Sequence, residues 1–210
     1  MKKRIILLAA LLPGIAIADV GVGVKLSTLG YGAELSAPLS ESWNARLGVN
    51  QFTYSRTGTT SDIEYDVKLK LQTVAAIADW HPFQGVFRMS LGYFYDNNRL
   101  DMTGVPTATG TYDFNGNSYA VTNVKGKLSF SKGAPYFGLG WGNPVAKDSN
   151  WGFSFDIGAM YQGKPKFALS ANGCTGACAT DLEAERAKAE SDMSGYKWWP
   201  VIALGVSYKF

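Results

Sequence analysis

The sequence predicts an all-β chain folded as an eight-stranded antiparallel transmembrane β-barrel with a short helix in its last outer loop. Three observations predict it. Apolar and small or polar residues alternate with period two, aromatic residues stand at the ends of the alternating segments, and short connections alternate with long ones. The composition agrees, since 24 Gly with 6 Trp, 11 Tyr and 11 Phe suits pleated strands and tight turns better than helices. A length of 210 residues points to one domain or at most two. A mean hydropathy of −0.06 excludes a bundle of transmembrane helices, and 18% charged residues with so many rings excludes a disordered chain.

The first segment reads as a signal peptide over residues 1–18, followed by the barrel over 19–210. Lys2, Lys3 and Arg4 precede an apolar run from Ile5 to Ile17, and Ala16-Ile17-Ala18 is a small-x-small cleavage pattern. That run is too short to anchor the chain. Loss of its three basic residues takes the formal charge from +3 to zero, which removes the main support for a nucleic-acid partner. No later stretch approaches 18 consecutive apolar residues, so an exported soluble protein and an outer-membrane barrel remain.

Strands are expected at about 20–27, 31–39, 43–55, 65–80, 86–102, 124–142, 151–169 and 198–210. In the fourth, Val67, Leu69, Leu71, Thr73, Ala75 and Ile77 are read as the outward set, leaving Lys68, Lys70 and Gln72 inside. The fifth turns Phe87, Met89, Leu91, Tyr93 and Tyr95 outward against Arg88, Ser90, Gly92, Phe94 and Asp96. The seventh turns out Trp151, Phe153, Phe155, Ile157, Ala159 and Tyr161. Each strand alone would also suit a soluble sandwich; the aromatic ends decide. Trp151 and Tyr161 stand ten residues apart on one face, roughly 23 Å along the membrane normal for a strand tilted by ~45°, close to the ~25 Å apolar band of outer-membrane barrels. Trp43, Trp141 and Trp151 belong to one border on this reading, with Tyr54, Tyr95, Tyr161 and Trp198 near the other. The outward phase slips at Gln51 and again between Lys132 and Pro135, the pattern of a β-bulge or of a misplaced strand boundary.

Connections at 40–42, 81–85 and 143–150 are short, whereas those at 56–64, 103–123 and 170–197 are long and polar, the asymmetry of periplasmic turns and extracellular loops. Cys174 and Cys178 lie in the last long loop and are expected to form a disulfide, as paired cysteines of exported chains usually do. The helix is expected over Asp181–Met193, with Asp181 at its N-cap and Arg186 paired to Glu190.

The last strand turns Ile202, Leu204, Val206, Tyr208 and Phe210 to one side. With that terminal strand, ending Val206-Ser207-Tyr208-Lys209-Phe210, the chain resembles the small eight-stranded outer-membrane proteins of Gram-negative bacteria, the group that includes the OmpA membrane domain, OmpX and NspA. The resemblance implies an outer-membrane location, contact with outer-membrane lipid, and assembly through periplasmic chaperones and the barrel-assembly machinery, which reads those five alternate residues as a signal.

Nine charged residues are expected on the lumen face: Lys25, Glu34, Arg46, Lys68, Lys70, Arg88, Asp96, Asp156 and Lys209. A barrel of eight strands is only wide enough for side chains to fill it, so these charges should pair and plug it. Chemistry is scarce. His81, the single histidine, falls at the periplasmic border, and no nucleophile, metal or phosphate motif accompanies it. The reading is therefore of no catalytic residue, metal or cofactor, and of a barrel with a structural or surface-interaction role in the envelope. A narrow channel or carrier for small solutes is the alternative, and a lipid-modifying enzyme comes third.

Overall fold

The longest hairpin sets the frame. A computed structural model describes residues 20–60, 63–106, 110–146 and 149–210; residues 1–19, with the expected signal peptide, and residues 61–62, 107–109 and 147–148 lie outside them. β1 (Gly21–Ser27) and β2 (Gly30–Pro38) are short, whereas β3 (Trp43–Thr60) and β4 (Ile63–Trp80) run 18 residues each. Three further strands are each split in two. β5 (Phe87–Asp96) continues as β6 (Arg99–Pro106), and β9 (Asn123–Ser129) continues as β10 (Gly133–Trp141). β11 (Trp151–Tyr161) likewise leads into β12 (Lys166–Asn172). A small hairpin of β7 (Thr111–Phe114) and β8 (Asn117–Ala120) precedes β9, and helix α1 (Ala177–Asp192) precedes the last strand, β13 (Trp198–Lys209).

Eight strands close a ring in the order β4-β3-β2-β1-β13-β11-β10-β5, with β5 returning to pair β4. All pairings are antiparallel, and β1 meets β13 with Gly21 opposite Lys209, so the chain closes first strand to last. Above the ring, the upper half of β4 leaves β5 and pairs β6, which pairs β9, which pairs β12. The molecule is thus a closed barrel below and an open, flared sheet above.

Side-chain polarity inverts where ring gives way to flare. In the ring, Leu47, Val74, Leu91, Phe153, Ile202 and Leu204 point outward and are exposed, as a lipid-facing wall requires. Aromatic residues border this band. Trp43 stacks on Trp80 at 6.3 Å, Phe87 meets Trp141 at 5.7 Å and Trp151 meets Tyr208 at 5.2 Å on the side of the short turns. Tyr161 meets Trp198 at 4.8 Å on the other. Above the band the outward face becomes Thr53, Ser55, Asp66, Lys68, Asp101, Lys125 and Lys127, while Val67, Leu69, Leu100, Met102, Leu128, Phe167 and Leu169 share the inward face by register.

That inversion corrects the sequence reading of β4. Its buried residues in the ring are Leu71, Thr73, Ala75, Ile77 and Asp79, so the set read as outward points inward, and Lys68 and Lys70 stand on the water-facing side of the flare. It also replaces the bulges. β3 and β4 pair without interruption from Trp43 opposite Trp80 to Thr60 opposite Ile63, with no residue inserted at Gln51. Thr73 opposes Asp96 and Lys70 opposes Arg99, three steps apart on both chains, so the break at Asn97-Asn98 keeps register. The break at 130–132 keeps it equally, since Ser129 opposes Arg99 and Gly133 opposes Tyr95; Pro135 sits in the ladder opposite Tyr93. What slips is which face is apolar. Tyr54, expected at the aromatic border, belongs to the inward face above it.

Polar groups stitch the rim at this level. Asn97 N–H donates to Gln72 O at 2.9 Å, Asn98 Oδ1 accepts from Gln72 N–H at 2.8 Å, and Asp96 N–H donates to Lys132 O at 2.7 Å. Ser131 N–H reaches Gln162 O at 3.2 Å. Asn97 with Gln72 and Asp96 with Lys132 keep the register of the flanking strands, so these bonds carry the ladder into the breaks and satisfy backbone groups there.

The long loops carry structure of their own. β3 and β4 extend through most of the expected loop at 56–64. The turn of the β7–β8 hairpin is Asn115-Gly116, both with positive φ (51° and 83°), the combination that a two-residue hairpin turn favours. Helix α1 starts four residues before Asp181, with Gly176 as its N-cap, so Asp181 lies inside the helix and not at its end. Phe114, Val121, Val124 and Cys178 form a small core in which Leu169 and Leu182 join, and through it the hairpin and helix cover the inward face of the flared sheet. The Cys174–Cys178 disulfide closes the loop just before and into the first helical turn.

Candidate functional site: a plugged lumen under an extracellular cap

The lumen is filled in two layers. In the half near the short turns, β1, β2, β3, β4, β5 and β11 contribute Lys25, Glu34, Arg46, Asp79, Arg88 and Asp156, three cations and three anions. Lys25 Nζ donates to Glu34 Oε2 at 2.7 Å. Arg46 reaches Asp79 through both Nε and Nη2, the latter at 2.8 Å, and Glu34 and Asp156 at 3.3 and 3.4 Å. Arg88 Nη2 donates to Asp156 Oδ1 at 2.7 Å, its Nη1 donates to Gly142 O, and Ser90 Oγ donates to Asp79 Oδ1 at 2.6 Å. Arg88 and Asp79 are wholly buried. Charges removed from water this completely persist only when paired and hydrogen-bonded, and here the pairing crosses the barrel from β3 and β4 to β11.

Glycines make the room. A Cβ on Gly140 would stand 2.7 Å from Arg88 Nε and 2.8 Å from Asp156 Oδ1, and one on Gly48 would stand 3.0 Å from Lys25 Nζ. The small residues facing the lumen are the space that the ion pairs occupy.

Toward the extracellular end the filling turns apolar. Leu29, Ala75, Ile77, Phe94, Ala134, Tyr136, Met160 and Val201 form one buried cluster against which Trp199 packs. Phe94 meets Tyr136 edge-on at 5.3 Å. Leu29, from the tight β1–β2 turn, is folded into the mouth and 1% exposed.

Five of the nine charged residues expected in the lumen thus meet in one network: Lys25, Glu34, Arg46, Arg88 and Asp156. Asp96 lies apart at the rim, accepting Asn98 N–H at 2.8 Å. Lys209 lies at the opposite mouth, where Nζ donates to Ala146 O at 2.6 Å. Lys68 and Lys70 are outside the lumen, and Lys70 pairs with Asp101 at 3.7 Å across the outer face of the flare. Sequence reasoning missed Asp79, which the inverted phase of β4 had hidden. His81 is buried beneath the short turns, with Nε2 3.1 Å from Asn44 Nδ2 and Nδ1 2.9 Å from Gly85 O. Both nitrogens are engaged in holding the turn. Among the described residues, no group of three or more His, Cys, Asp or Glu side chains is placed to hold a metal ion.

The cap has its own polar joint. Asp181 accepts from Tyr119 Oη at 2.5 Å, Asn115 Nδ2 at 3.1 Å and Asn117 Nδ2 at 2.9 Å, tying α1 to the β7–β8 hairpin. The Tyr119 hydroxyl first, then the two amides, hold the Asp181 carboxyl below the usual carboxylate range, and the same bond pushes the Tyr119 phenol up. Arg186 pairs with Glu183 at 2.7 Å and with Glu190 at 2.6 Å along the helix.

A closed eight-stranded ring, a lipid-facing wall with aromatic borders and a packed polar lumen define an integral outer-membrane β-barrel of Gram-negative type. No protein-family profile and no curated protein matches the chain. Among solved structures it is similar to CarO2 of Acinetobacter baumannii, with a TM-score of 0.59 and 24% identity over 91% of this chain and 98% of that one. It is similar also to CarO of the same organism, with a TM-score of 0.57 and 27% identity over 90% of this chain and 97% of that one. A looser likeness, with a TM-score of 0.38 and 13% identity, extends to Ail, the attachment invasion locus protein of Yersinia pestis, over 91% of this chain and 95% of that one.

Proposed function

We propose that the protein is a non-conducting, non-enzymatic anchor that presents its extracellular cap for interaction at the cell surface. The observation that carries this reading is the charge-balanced network across the lumen, backed by an apolar layer above it. An ion entering that passage would have to displace buried, mutually paired charges, which costs several kcal/mol. The elaborated part of the chain is instead the cap, where β3, β4, β6, β9 and β12 rise past the membrane and carry a hairpin and a helix. In this reading the outer wall contacts outer-membrane lipid. Ile202, Leu204, Val206, Tyr208 and Phe210 serve assembly, as the signal delivered by periplasmic chaperones to the barrel-assembly machinery.

Conductance of the refolded protein in planar bilayers tests the proposal. Absence of stable openings at both polarities is expected. Reproducible single-channel openings in the wild-type protein would overturn it and favour a solute channel; neutralising Lys68 and Lys70 would not close such a pore, because both lie outside the lumen.

A further inference from the structure

Lys68 and Lys70, which the lumen leaves unused, belong to a cationic face. On the outward side of the flare, register places Lys70, Arg99, Ser129 and Lys166 in one row across β4, β6, β9 and β12. The next two rows up add Lys68, Lys127 and Lys125, with Asp101 and Asp66 as their anions. Six cations and two anions therefore share these three rows. Asp101 serves both Lys70, at 3.7 Å, and Arg99, at 3.3 Å. Lys68, Lys125, Lys127 and Lys166 are exposed and make no ion pair among the described residues.

The excess is local. The chain after its expected signal peptide carries no net formal charge, and α1, with five acidic and two basic residues, is negative. Charges that serve solubility alone are interspersed in sign. Here the cations gather on the wall that continues the lipid-facing surface upward. Val74 and Tyr95, paired across β4 and β5, are exposed at the upper border of the apolar band. Lys132 Nζ stands 5.8 Å from the centre of the Tyr95 ring. Lys70 follows four residues above Val74, about 9 Å along the membrane normal for a strand tilted by ~45°. Lysine stems lie along apolar surface while their charged ends reach water, so the lowest row stands at the depth of lipid headgroups.

We propose that this face binds an outer-leaflet glycolipid bearing two or more phosphates, its acyl chains against the ring below and its phosphates on the cationic rows. Two features select that occupant, the sign of the charge and its continuity with the lipid-facing wall. Four strands ~4.8 Å apart make the face about 14 Å wide, broad enough for more than one phosphate. Lysine meets phosphate as a mobile point charge, and Arg99 adds a planar fork. Clustered Lys and Arg beside a membrane attract anionic lipid in this way. An acidic protein would meet the cations but gain nothing from the apolar wall beneath them, and a zwitterionic lipid would meet the wall without net attraction to the cations. The proposal rests on the outer-membrane placement and not on the closed lumen, so it holds or fails independently of conductance.

The test uses the protein in phosphatidylcholine nanodiscs containing graded amounts of diphosphoryl lipid A, followed by its amide resonances. Saturable shifts centred on 68, 70, 99, 125 and 127 are expected. Monophosphoryl lipid A should bind about threefold more weakly or worse. The triple variant Lys68→Gln, Lys125→Gln, Lys127→Gln removes only unpaired surface charges and should weaken diphosphoryl lipid A by about tenfold or more. A charge-matched control away from this face, Arg56→Gln, Lys188→Gln, Lys197→Gln, should leave the affinity within about twofold of wild type. Equal affinity for the two lipids, undiminished binding to the patch variant, or an equal loss in the control would each overturn the proposal. The same shifts produced by inorganic phosphate in discs without lipid A would overturn it in favour of a free-anion site. Binding of polyglutamate with no response to lipid A would overturn it in favour of an acidic protein partner. If the patch variant does not fold, the comparison of the two lipids on the wild-type protein decides.

Discussion

Arg88→Met removes one cation from a network of three cations and three anions. The guanidinium is wholly buried and lies 2.7 Å from Asp156 and 3.8 Å from Asp79, so its loss leaves a net negative charge in the lumen. Breaking a buried pair from one side typically costs about 3–5 kcal/mol. Arg46 still reaches Asp156 at 3.4 Å and holds Asp79 through two nitrogens, which places the expected loss near the lower end, about 3 kcal/mol. Asp156→Leu strands Arg88 in the same way and should cost a similar amount. The double variant removes one charge of each sign and leaves Lys25 and Arg46 facing Glu34 and Asp79. It should therefore cost well under the sum of the singles, with a coupling of about 2–3 kcal/mol. Reversible urea unfolding from phospholipid vesicles supplies the four free energies, given unchanged slopes across the set. Additivity within about 0.5 kcal/mol, or an Arg88→Met protein as stable as wild type, would refute the reasoning.

Three further outcomes are expected. Gly140→Ala should destabilise the barrel by about 1–2 kcal/mol through its approach to Arg88 and Asp156, whereas Gly58→Ala, with nothing within 4 Å, should be neutral or slightly stabilising in the same assay. The Asp181 joint contributes fully above the ordinary Asp value of 3.8 and is lost as pH falls through its lowered one. Amide exchange in 111–120, corrected for intrinsic rates, should therefore rise on acidification in the wild-type protein; persistence of that rise in Asp181→Asn would contradict the assignment. Replacing Cys174 and Cys178 by Ser opens a ring spanning a sequence separation of 4, an effect of about 2 kcal/mol on chain entropy confined to the cap. Exchange at 177–182 should quicken while the urea midpoint of the barrel stays put.

Much of this fold is legible in the residues because lipid demands a simple pattern. β5, β11 and β13 carry bulky residues on one face and small or charged ones on the other, and the structure orients them that way. β4 is not legible by the same rule, because half of it stands above the membrane. There water lies outside and the cap's core inside, so Val67, Leu69 and Leu71 face inward for the reason that Leu91 and Ile202 face outward. A continuous 18-residue strand crossing both solvents reads as a strand of the wrong phase, its neighbour β3 reads as bulged at Gln51, and β9 with β10, crossing the same boundary, read as bulged near Pro135. Once the phase of β4 is reversed, Asp79 becomes visible as the third anion of the lumen. Asn115-Gly116 was a hairpin signal in plain sight inside a segment read as loop.

The polarity inversion is the claim on which the rest depends, and depth measurement along the outward face of β4 tests it most directly. On a protein lacking Cys174 and Cys178, nitroxide labels at 66, 68, 74, 76 and 78 report collision with dissolved oxygen against a water-soluble nickel chelate. Labels at 74, 76 and 78 should favour oxygen, as lipid-exposed sites do, and labels at 66 and 68 should favour the chelate, with the change falling near Gln72. Oxygen preference persisting through 68, or chelate access at 76, would contradict the account.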